Sequence, residues 1–359
     1  MKIGIVGCGH IGTVHAYALK QLSDAGLVDA HVAAAYDADA ARAAKLTKNL
    51  GGDAAASLDA LVDAVDVVWV CTWTAAHREA VEAAVARNLP VFCEKPLAPD
   101  LAACEQVSAT LERVPHQVGL VLRFAPVFAK AAELVGSGRY GRPLTTILRD
   151  DQYFPIQGMY GSTWRKERSA AGGGTLIEHS IHDIDVLRWI LGDPRNVSGT
   201  TACAFGYEGI EDLASLTLRY SSGATAQLVS LWHQVMTRGS SRRLEIFCED
   251  AYLWTEDDYL GPLHVETSDG VETIDGTPPE WAATLHVPEV YEKAVAHYAS
   301  QSKHFLDELA AHGSQARGFP GAAEALAAHR IVDAAYRSAA AGSTPVPLPP
   351  PALSADGSR

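Results

Sequence analysis

The 359-residue chain has no long apolar run. Its most apolar stretch, residues 65–76, has the length of a strand and contains Asp66, whereas a membrane-spanning helix needs about 20 apolar residues. A strand that begins at residue 3 also predicts that no signal peptide precedes the fold. We therefore expect neither a membrane protein nor a secreted one.

Basic residues are scarce relative to acidic ones. The chain has 29 Lys and Arg against 43 Asp and Glu, a formal net charge of −14. Sequence-independent binding of nucleic acid needs Lys and Arg to displace counterions from phosphate, so this balance argues against a nucleic-acid partner. With 48% hydrophobic and 20% charged residues, the chain can still bury globular cores, and its length predicts two or three domains.

The cysteines lack the spacing of a metal or redox site. None of the six forms a Cys-x-x-Cys pair, and several lie in apolar runs, where buried thiols are common: Cys8, Cys71, Cys93, Cys104, Cys203 and Cys248. Free thiols are typical of a reducing compartment. We therefore predict a soluble, cytoplasmic protein that holds no metal.

The first 120 residues alternate short apolar segments with amphipathic ones. The predicted strands are residues 2–6, 31–36, 66–72, 90–93 and 117–122, and the predicted helices are residues 11–21, 38–50, 75–87 and 101–113. Neighbouring parallel strands need a connection long enough for a helix. This alternation therefore predicts an α/β domain with a doubly wound parallel sheet over residues 1–122.

The pattern changes after about residue 143. A helix over residues 175–191 is followed by predicted strands at 196–206, 211–220, 224–234, 242–248, 251–255, 262–267 and 271–275, and then by helices near 289–311 and 320–340. Strands without intervening helices predict a large, mainly antiparallel sheet, so residues 123–340 are expected to form an α+β domain. The Pro-rich residues 341–359 are expected to form an extended or mobile tail.

The N-terminal sequence contains the pattern of a dinucleotide-binding loop. Between a strand and a helix, Gly7 allows a tight turn, Gly9 admits a phosphate close to the backbone, and Gly12 lets the helix approach the strand. A second strand ends at Asp37, whose carboxylate would bind the adenosine ribose hydroxyls and repel a 2′-phosphate. We therefore predict NAD, with NADP kept open because Arg42 is near. The predicted contacts of this loop are Gly7, Gly9, His10, Ile11, Gly12 and Asp37.

A second candidate follows another strand of the first domain. The strand before Glu94-Lys95-Pro96 ends where a parallel sheet forms its ligand crevice, so Lys95 would face a bound cofactor. An ammonium group can polarise a substrate oxygen, and burial can tune its pKa for proton transfer. Lysines at strand ends are also common as solvated surface residues, so the position alone does not decide between these interpretations.

The segment from Gly172 to Pro194 carries the other candidates. At 3.6 residues per turn, Glu178, His182 and Asp185 fall within about 60° of one another on the predicted helix. An imidazole with a carboxylate one turn away can take a proton from an alcohol, although a buried polar stripe would have the same pattern. His179 points about 100° away from Glu178 and is interpreted as structural. The HExxH spacing of a zinc site is absent.

Several motifs together resemble the Gfo/Idh/MocA family of NAD(P)-dependent oxidoreductases over residues 1–340. They are the glycine loop, Cys71-Thr72 with His77, Glu94-Lys95-Pro96-Leu97, Arg123-Phe124-x-Pro126, Gly141-x-Pro143, Trp164-Arg165, and Gly172-Gly173-Gly174 leading to His182-x-x-Asp185. The resemblance implies a Rossmann domain followed by an α/β domain with a large open sheet. The bare face of such a sheet commonly mediates dimers or tetramers, so a homodimer or homotetramer is expected.

The same resemblance implies roles for individual residues. Lys95 and His182 would flank the substrate alcohol, with assistance from Glu178, which stands where Asp is usual. Contacts near the cofactor are implied for Thr72, His77, Glu94, Lys95 and Arg165. The implied substrate contacts include Trp164 and Arg165, beside Lys95, Glu178 and His182. The sequence departs from the family in having Trp73-Thr74 where Pro-Asn is common and Ser180 where Gly is common.

These observations predict an NAD-dependent dehydrogenase that oxidises a secondary alcohol of a cyclic polyol or sugar. His182 would take the hydroxyl proton, Lys95 would stabilise charge on oxygen, and Glu178 would orient His182, with Asp185 in support. The alternatives are an imine, enone or carbonyl reductase, a redox-neutral glycosidase that uses NAD transiently, and a cofactor-sensing regulator. Polar candidates for binding the substrate's hydroxyls are Asp151, Gln152, Tyr153, Tyr160, Arg165 and His233.

Overall fold

The structure, a computed structural model, describes residues 1–158, 160–256 and 258–349. A six-stranded, entirely parallel sheet in the order β3-β2-β1-β4-β5-β6 forms the first domain. Its elements are β1 Lys2–Val6, α1 His10–Asp24, β2 His31–Tyr36, α2 Ala40–Leu50, β3 Asp53–Ala54, α3 Leu58–Val62, β4 Val67–Val70, α4 His77–Val85, β5 Val91–Cys93, α5 Leu101–Leu111 and β6 His116–Val118. The predicted doubly wound α/β sheet is confirmed.

Local sequence explains most of these elements. Asp39, Ser57 and Asp100 precede α2, α3 and α5, and each side chain accepts a hydrogen bond from a backbone N–H in the first turn. Strands β4 and β5 are buried at every residue, as expected for apolar strands covered by helices on both faces. The short elements β3 and α3 were not predicted, because two strand residues and a five-residue helix leave little periodicity to detect.

The second sheet has nine strands in the order β14-β13-β12-β11-β7-β10-β9-β8-β15. It is antiparallel except where β7 pairs parallel with β10, so the predicted mainly antiparallel sheet is confirmed. Its strands are β7 Pro143–Tyr153, β8 Asn196–Ala202, β9 Leu213–Arg219, β10 Thr225–His233, β11 Ser241–Cys248, β12 Tyr252–Thr255, β13 Leu263–Thr267, β14 Gly270–Ile274 and β15 Val346–Pro347. The central strand β7 was missed, because charged residues interrupt its apolar alternation.

The helices of this half are α6 Pro126–Gly136, α7 Arg168–Ala171, α8 Thr175–Glu178, α9 Ile181–Leu191, α10 Glu289–His312 and α11 Ala322–Ala340. Helix α6 was also not predicted. Helix α10 packs along α1, and α11 packs against α5 and α9, so both return to the first domain.

No helix within the described ranges is long and apolar enough to cross a membrane. Of the predicted tail, residues 350–359 lie outside the described residues, and β15 pairs with β8.

The single helix predicted over residues 175–191 is wrong, because the chain breaks between α8 and α9. The backbone N–H of Ser180 bonds back to Thr175, and the Ser180 hydroxyl is within hydrogen-bond distance of Asp150 and Ser230, at 3.1 and 2.7 Å. A short polar side chain that bonds in this way competes with a continuous helix. Glu178 and His182 therefore lie on two helices, and the stripe inferred from a 3.6-residue repeat does not exist.

Asp185 does not support His182 as expected but forms an ion pair behind α9. Arg123 donates from Nε and Nη2 to the two carboxylate oxygens at 2.7 and 2.8 Å. Both side chains are buried, with 8% and 2% exposure. The guanidinium also lies over the ring of Trp189, 5.4 Å from its centroid. This pair ties α9 to the segment that leaves the first sheet.

Removing Arg123 should therefore strongly destabilise the protein. We expect Arg123→Met to lower the free energy of unfolding by about 3–5 kcal/mol, since it removes both hydrogen-bond donors of a buried carboxylate and leaves it only the more distant Arg188, 3.9 Å away. Urea unfolding measures the change, and Arg123→Met with Asp185→Leu should recover much of it. The control is Arg142→Met, which breaks an exposed pair with Glu249. A loss for Arg123→Met no larger than that of the control would contradict this assignment.

Candidate active site

A cleft of about 1720 Å³ lies between the two domains and collects most of the predicted site. Gly7 and Asp37 line it from the first two strand ends, and Lys95 lines it from the turn after β5. Glu178 and His182 line it from the break between α8 and α9. The ammonium group of the first domain and the imidazole of the second therefore face one cavity, as the sequence predicted.

The glycine loop fits a bound pyrophosphate. Gly7 has a φ of +95°, and a Cβ there would lie 2.6 Å from the backbone of Cys71. A Cβ on Gly12 would lie 1.9 Å from the carbonyl oxygen of Gly7, so this position needs glycine for packing. A Cβ on Gly9 would meet no atom within 4 Å and would enter the cleft at the N-terminus of α1. That open space next to free backbone N–H groups suits a phosphate.

Asp37 is held beside this loop. Its Oδ2 accepts a hydrogen bond from the Cys8 N–H at 2.7 Å, and its Oδ1 accepts one from the Asp39 N–H at 2.9 Å. Burial, reinforced by the Asp37 carboxylate, raises the pKa of the Cys8 thiol to about 12, so the thiol stays neutral. Arg42 also lines the cleft and pairs with Asp39 at 3.5 Å. The carboxylate of Asp37 is thus positioned to accept from ribose hydroxyls.

Other predicted cofactor residues divide into those that line the cleft and one that lies behind it. His10, Ile11, Thr72 and Glu94 line the cleft. His77 is 1% exposed, and its two ring nitrogens lie 3.2 and 2.9 Å from the carbonyl oxygens of Thr72 and Pro96. It joins the turns after β4 and β5. Burial lowers the pKa of His77.

Glu178 receives hydrogen bonds from three separate segments. Lys95 Nζ donates to its backbone carbonyl at 2.8 Å, Thr74 Oγ1 to Oε1 at 2.6 Å, and Arg165 Nε to Oε2 at 3.0 Å. Burial lowers the pKa of Lys95, an effect opposed by the carboxylates of Glu178 and Glu94. Among the described residues, the Glu178 carboxylate makes no hydrogen bond to the imidazole on α9.

His182 can accept a proton from a group in the cleft. It is 7% exposed, and its Nδ1 is sealed from solvent with no hydrogen-bond partner in the described part of the chain. Burial, together with the cations of Lys95 and Arg242, holds the pKa of His182 well below its usual range. The ring is therefore neutral near pH 7, which is the state a general base requires.

His179, interpreted from the sequence as structural, also lines the cleft but has no nitrogen available to accept a proton. Arg242 Nη2 lies 2.7 Å from its Nε2, and a guanidinium can only donate, so Nε2 accepts and Nδ1 carries the proton. Nδ1 lies 3.1 Å from Asp150 Oδ2, outside hydrogen-bond geometry. Burial and Arg242 hold the pKa of His179 well below its usual range. Of the two imidazoles, only His182 can exchange a proton with a substrate.

Sequence reasoning missed the buried charges around Arg242. Its Nε donates to Asp183 at 2.9 Å, and its terminal nitrogens lie 3.4 Å from Asp150 and Asp258. These four residues come from β11, α9, β7 and the loop after β12, so no local pattern connects them. Within the described residues, no group of three or more His, Cys, Asp or Glu side chains is arranged to hold a metal.

The predicted substrate residues are only partly brought to the cleft. Trp164 and Arg165 line it, with the guanidinium 4.5 Å from the centroid of the indole ring. Tyr153 is 8% exposed and packs against Tyr160, which lines the cleft and contacts His10 edge-on. Tyr153 therefore supports a residue of the cavity surface. Gln152 also lines the cleft.

The open space at Gly9 predicts a variant that separates folding from cofactor binding. Gly9→Ala should keep the thermal unfolding midpoint, yet weaken NAD binding by about tenfold, or about 1.4 kcal/mol, because the methyl group occupies the phosphate position. Calorimetric titration with NAD measures the affinity. Gly136→Ala, at another glycine whose Cβ meets nothing within 4 Å, is the matched control. Unchanged affinity of the Gly9 variant would place the phosphates elsewhere.

Comparisons with known proteins match both halves of the chain. A family model described as an oxidoreductase family with an NAD-binding Rossmann fold matches residues 1–121, and a GFO/IDH/MocA C-terminal domain model matches residues 128–254. The inositol 2-dehydrogenase of Rhizobium meliloti (strain 1021) is 30% identical over 354 residues, covering 95% of this chain and 97% of that protein. The myo-inositol 2-dehydrogenase of Thermotoga maritima is 31% identical, covering 69% and 72%.

Structural similarity extends over the same range. Levoglucosan dehydrogenase in complex with NADH and levoglucosan superposes with a TM-score of 0.84 at 21% identity, over 97% of this chain and 99% of that one. At this identity the likeness bears on the fold alone. The family models, and the relative that spans nearly the whole chain, confirm the resemblance seen in the motifs. The chain belongs to the Gfo/Idh/MocA family of NAD-dependent oxidoreductases.

Proposed function

We propose that this enzyme transfers a hydride from a secondary alcohol of a cyclic polyol or sugar to NAD, with inositol-like or hexose-like substrates. The observation that carries the proposal is that Lys95 and His182 line the same cleft as the glycine loop. The names of its relatives, inositol 2-dehydrogenases, point to this substrate class. Bound across Gly7, Gly9 and Asp37, NAD would supply the hydride acceptor.

The chemistry of the protein's own groups follows from the geometry. His182 accepts the hydroxyl proton at Nε2, because Nδ1 is sealed from solvent. Lys95 gives one N–H to the Glu178 carbonyl and keeps two for the oxygen on which negative charge develops. Arg165 and Trp164 contact the substrate or the nicotinamide end of the cofactor. These groups contribute placement and electrostatics, while the redox chemistry belongs to NAD.

The division of labour between the domains belongs to the same proposal. Residues 1–122 would bind the cofactor and residues 123–340 the substrate, with residues 341–359 as a tail. Thr72 and Glu94 line the cleft on the cofactor side, where His77 supports their turns. The Asp37 carboxylate favours NAD over NADP because it would repel a 2′-phosphate.

Turnover with a panel of inositols and sugars, monitored by reduced-nicotinamide absorbance with NAD and with NADP, tests this function. His182→Ala should abolish turnover while NAD still binds, because the proton acceptor is lost and the glycine loop is intact. The control is His312→Ala, at an exposed imidazole at the end of α10, which should leave turnover unchanged. Turnover by the His182 variant at the wild-type rate would remove this residue from the mechanism. Reduction of imines or enones alone would instead favour a reductase.

The pH dependence of the same reaction is a further check on His182. The base works when neutral, and its pKa is held well below 6.5, so activity should persist as the pH falls below 6.5. The acid limb of kcat/KM should therefore lie below the usual imidazole value. Activity should also be lost at high pH, where the Lys95 ammonium loses its proton. Because burial lowers the pKa of this group, the alkaline limb of the profile should lie below the usual lysine value of 10.5. An acid limb at or above 6.5 would argue against His182 as the base.

We further propose that the open face of the second sheet forms a homodimer or homotetramer interface. Phe247, Tyr252, Trp254 and His264 stack on this face, with ring centroids 4.6, 4.8 and 4.8 Å apart. Ile147, 38% exposed, lies beside them on β7. Contiguous exposed apolar side chains of this kind are typical of association surfaces.

A charge on this face should disrupt association. We expect Phe247→Glu combined with Ile147→Glu to sediment as a monomer in analytical ultracentrifugation, because burying two carboxylates in an apolar interface is unfavourable. Val290→Glu places the same charge on α10, at a residue that is 80% exposed, and should leave the assembly unchanged. An unaltered oligomer in the double variant would locate the interface on another surface.

A cytoplasmic location is also proposed, on the basis of the thiols. All six cysteines are free, and five of them are buried. Secreted proteins with this many cysteines commonly pair them, because an oxidising compartment favours disulfides. Cell fractionation with detection of the native protein tests the location, and recovery outside the cytoplasm would overturn it.

A further inference from the structure

The carboxylate of Glu178 is bound from both domains at once. Oε1 accepts the Thr74 hydroxyl at 2.6 Å, from the turn after β4, and Oε2 accepts Arg165 Nε at 3.0 Å, from the segment after β7. Thr74 and Glu178 are each only 2% exposed. Hydrogen bonds to an ionised group in such surroundings are among the strong ones. The carboxylate is therefore fixed between these two donors and is not a hydrogen-bond partner of His182 among the described residues.

Arg165 is the member of this network that we expect to contact the substrate, because it lines the cleft. Its Nη1 donates to Ser162 at 2.8 Å, and its guanidinium lies over the Trp164 ring, so the group is held on three sides. Nη2 is left for an oxygen in the cleft that the residue lines. The position of Nη2 depends on the Glu178 carboxylate, because Oε2 of that carboxylate holds Arg165 Nε. The Thr74 hydroxyl in turn holds the other carboxylate oxygen, Oε1.

We propose that Thr74 is a positioning residue for substrate binding: its hydroxyl holds the Glu178 carboxylate in the bridge that aims Arg165 into the cleft. This rests on the proposed polyol dehydrogenase function and extends it to Thr74, which lines the cleft and whose hydroxyl donates to the Glu178 carboxylate. The consequence is that Thr74 governs how tightly the substrate binds, whereas proton acceptance by His182 proceeds without it.

The lengths of the two side chains are matched. Replacing Glu178 with Asp removes one methylene and withdraws the carboxylate by about 1.5 Å, which breaks a 2.6 Å contact. Asparagine at position 74 carries an N–H donor one bond further out than the threonine hydroxyl. Thr74→Asn combined with Glu178→Asp should therefore restore the bridge, although each single substitution disrupts it.

Kinetics of the holoenzyme test the role. Thr74→Val, which keeps the shape and removes the donor, should raise KM for the polyol about tenfold with a smaller change in kcat. Thr74→Ser should keep KM near the wild-type value. Thr146→Val is the control, because Thr146 is fully buried on β7 without a hydroxyl partner in the described part of the chain. Its KM should not change.

Two further measurements separate positioning from a merely structural role. The acid limb of the kcat/KM profile, set by His182, should stay in place in Thr74→Val, and a shift of that limb would overturn the proposal by coupling Thr74 to the base. Thr74→Asn/Glu178→Asp should recover KM relative to both single variants. Additive losses in this pair would show that the two residues do not act through one hydrogen bond.

The experiments distinguish an error in the proposed dehydrogenase function from an error in the proposed role of Thr74. If no polyol or sugar is oxidised by the wild-type enzyme, the proposed function fails. The Thr74–Glu178 bond is tested without substrate by a double-mutant cycle of Thr74→Val and Glu178→Met in thermal unfolding, because neither new side chain can form the hydrogen bond. Non-additive shifts of the unfolding midpoint are expected. Additive shifts would overturn the bridge, whatever the substrate is.

Discussion

The hydrogen bond from Lys95 Nζ to the Glu178 carbonyl joins the two domains at the place where the reaction would occur. It brings an ammonium from the end of β5 against the break between α8 and α9. The cation lowers the pKa of His182, whose depression is due first to burial. A single contact between a strand end and a helix break thus fixes the position of one group and contributes, after burial, to keeping the other neutral.

The charged residues around Arg242 also influence the protonation of the histidines in the cleft. Arg242 faces three carboxylates, those of Asp150 and Asp183 buried and that of Asp258 partly buried, and a single guanidinium cannot neutralise them all. Burial raises the pKa of Asp150 and of Asp258, which reduces the negative charge left over. The guanidinium meanwhile fixes the tautomer of His179 and helps to keep His182 neutral. In the proposed mechanism, this network leaves His182 as the proton acceptor, because Nε2 of His179 already accepts from Arg242.

Local signals predicted the first domain and the cofactor loop well. Gly7 and Gly12 are required by contacts between adjacent elements, and such requirements are visible in a short motif. The sequence could not predict the contact of Thr74 with Glu178, since 104 residues separate them. The break after His179 was missed for a similar reason: Ser180 bonds to β7 and β10, and helical periodicity carries no information about those partners.

That break changes how the site works. On a continuous helix, Glu178 would stand one turn from His182 and could stabilise its protonated form. The interruption of the helix turns the carboxylate toward Thr74 and Arg165. His182, the proposed base, therefore has no hydrogen bond to this carboxylate among the described residues, and its pKa is governed by burial and by cations. In the proposed mechanism, such a base is weak, and it would become competent only if Lys95 stabilised the alkoxide as the proton leaves. Proton acceptance and charge stabilisation are therefore interdependent in this cleft, and neither group could act in isolation.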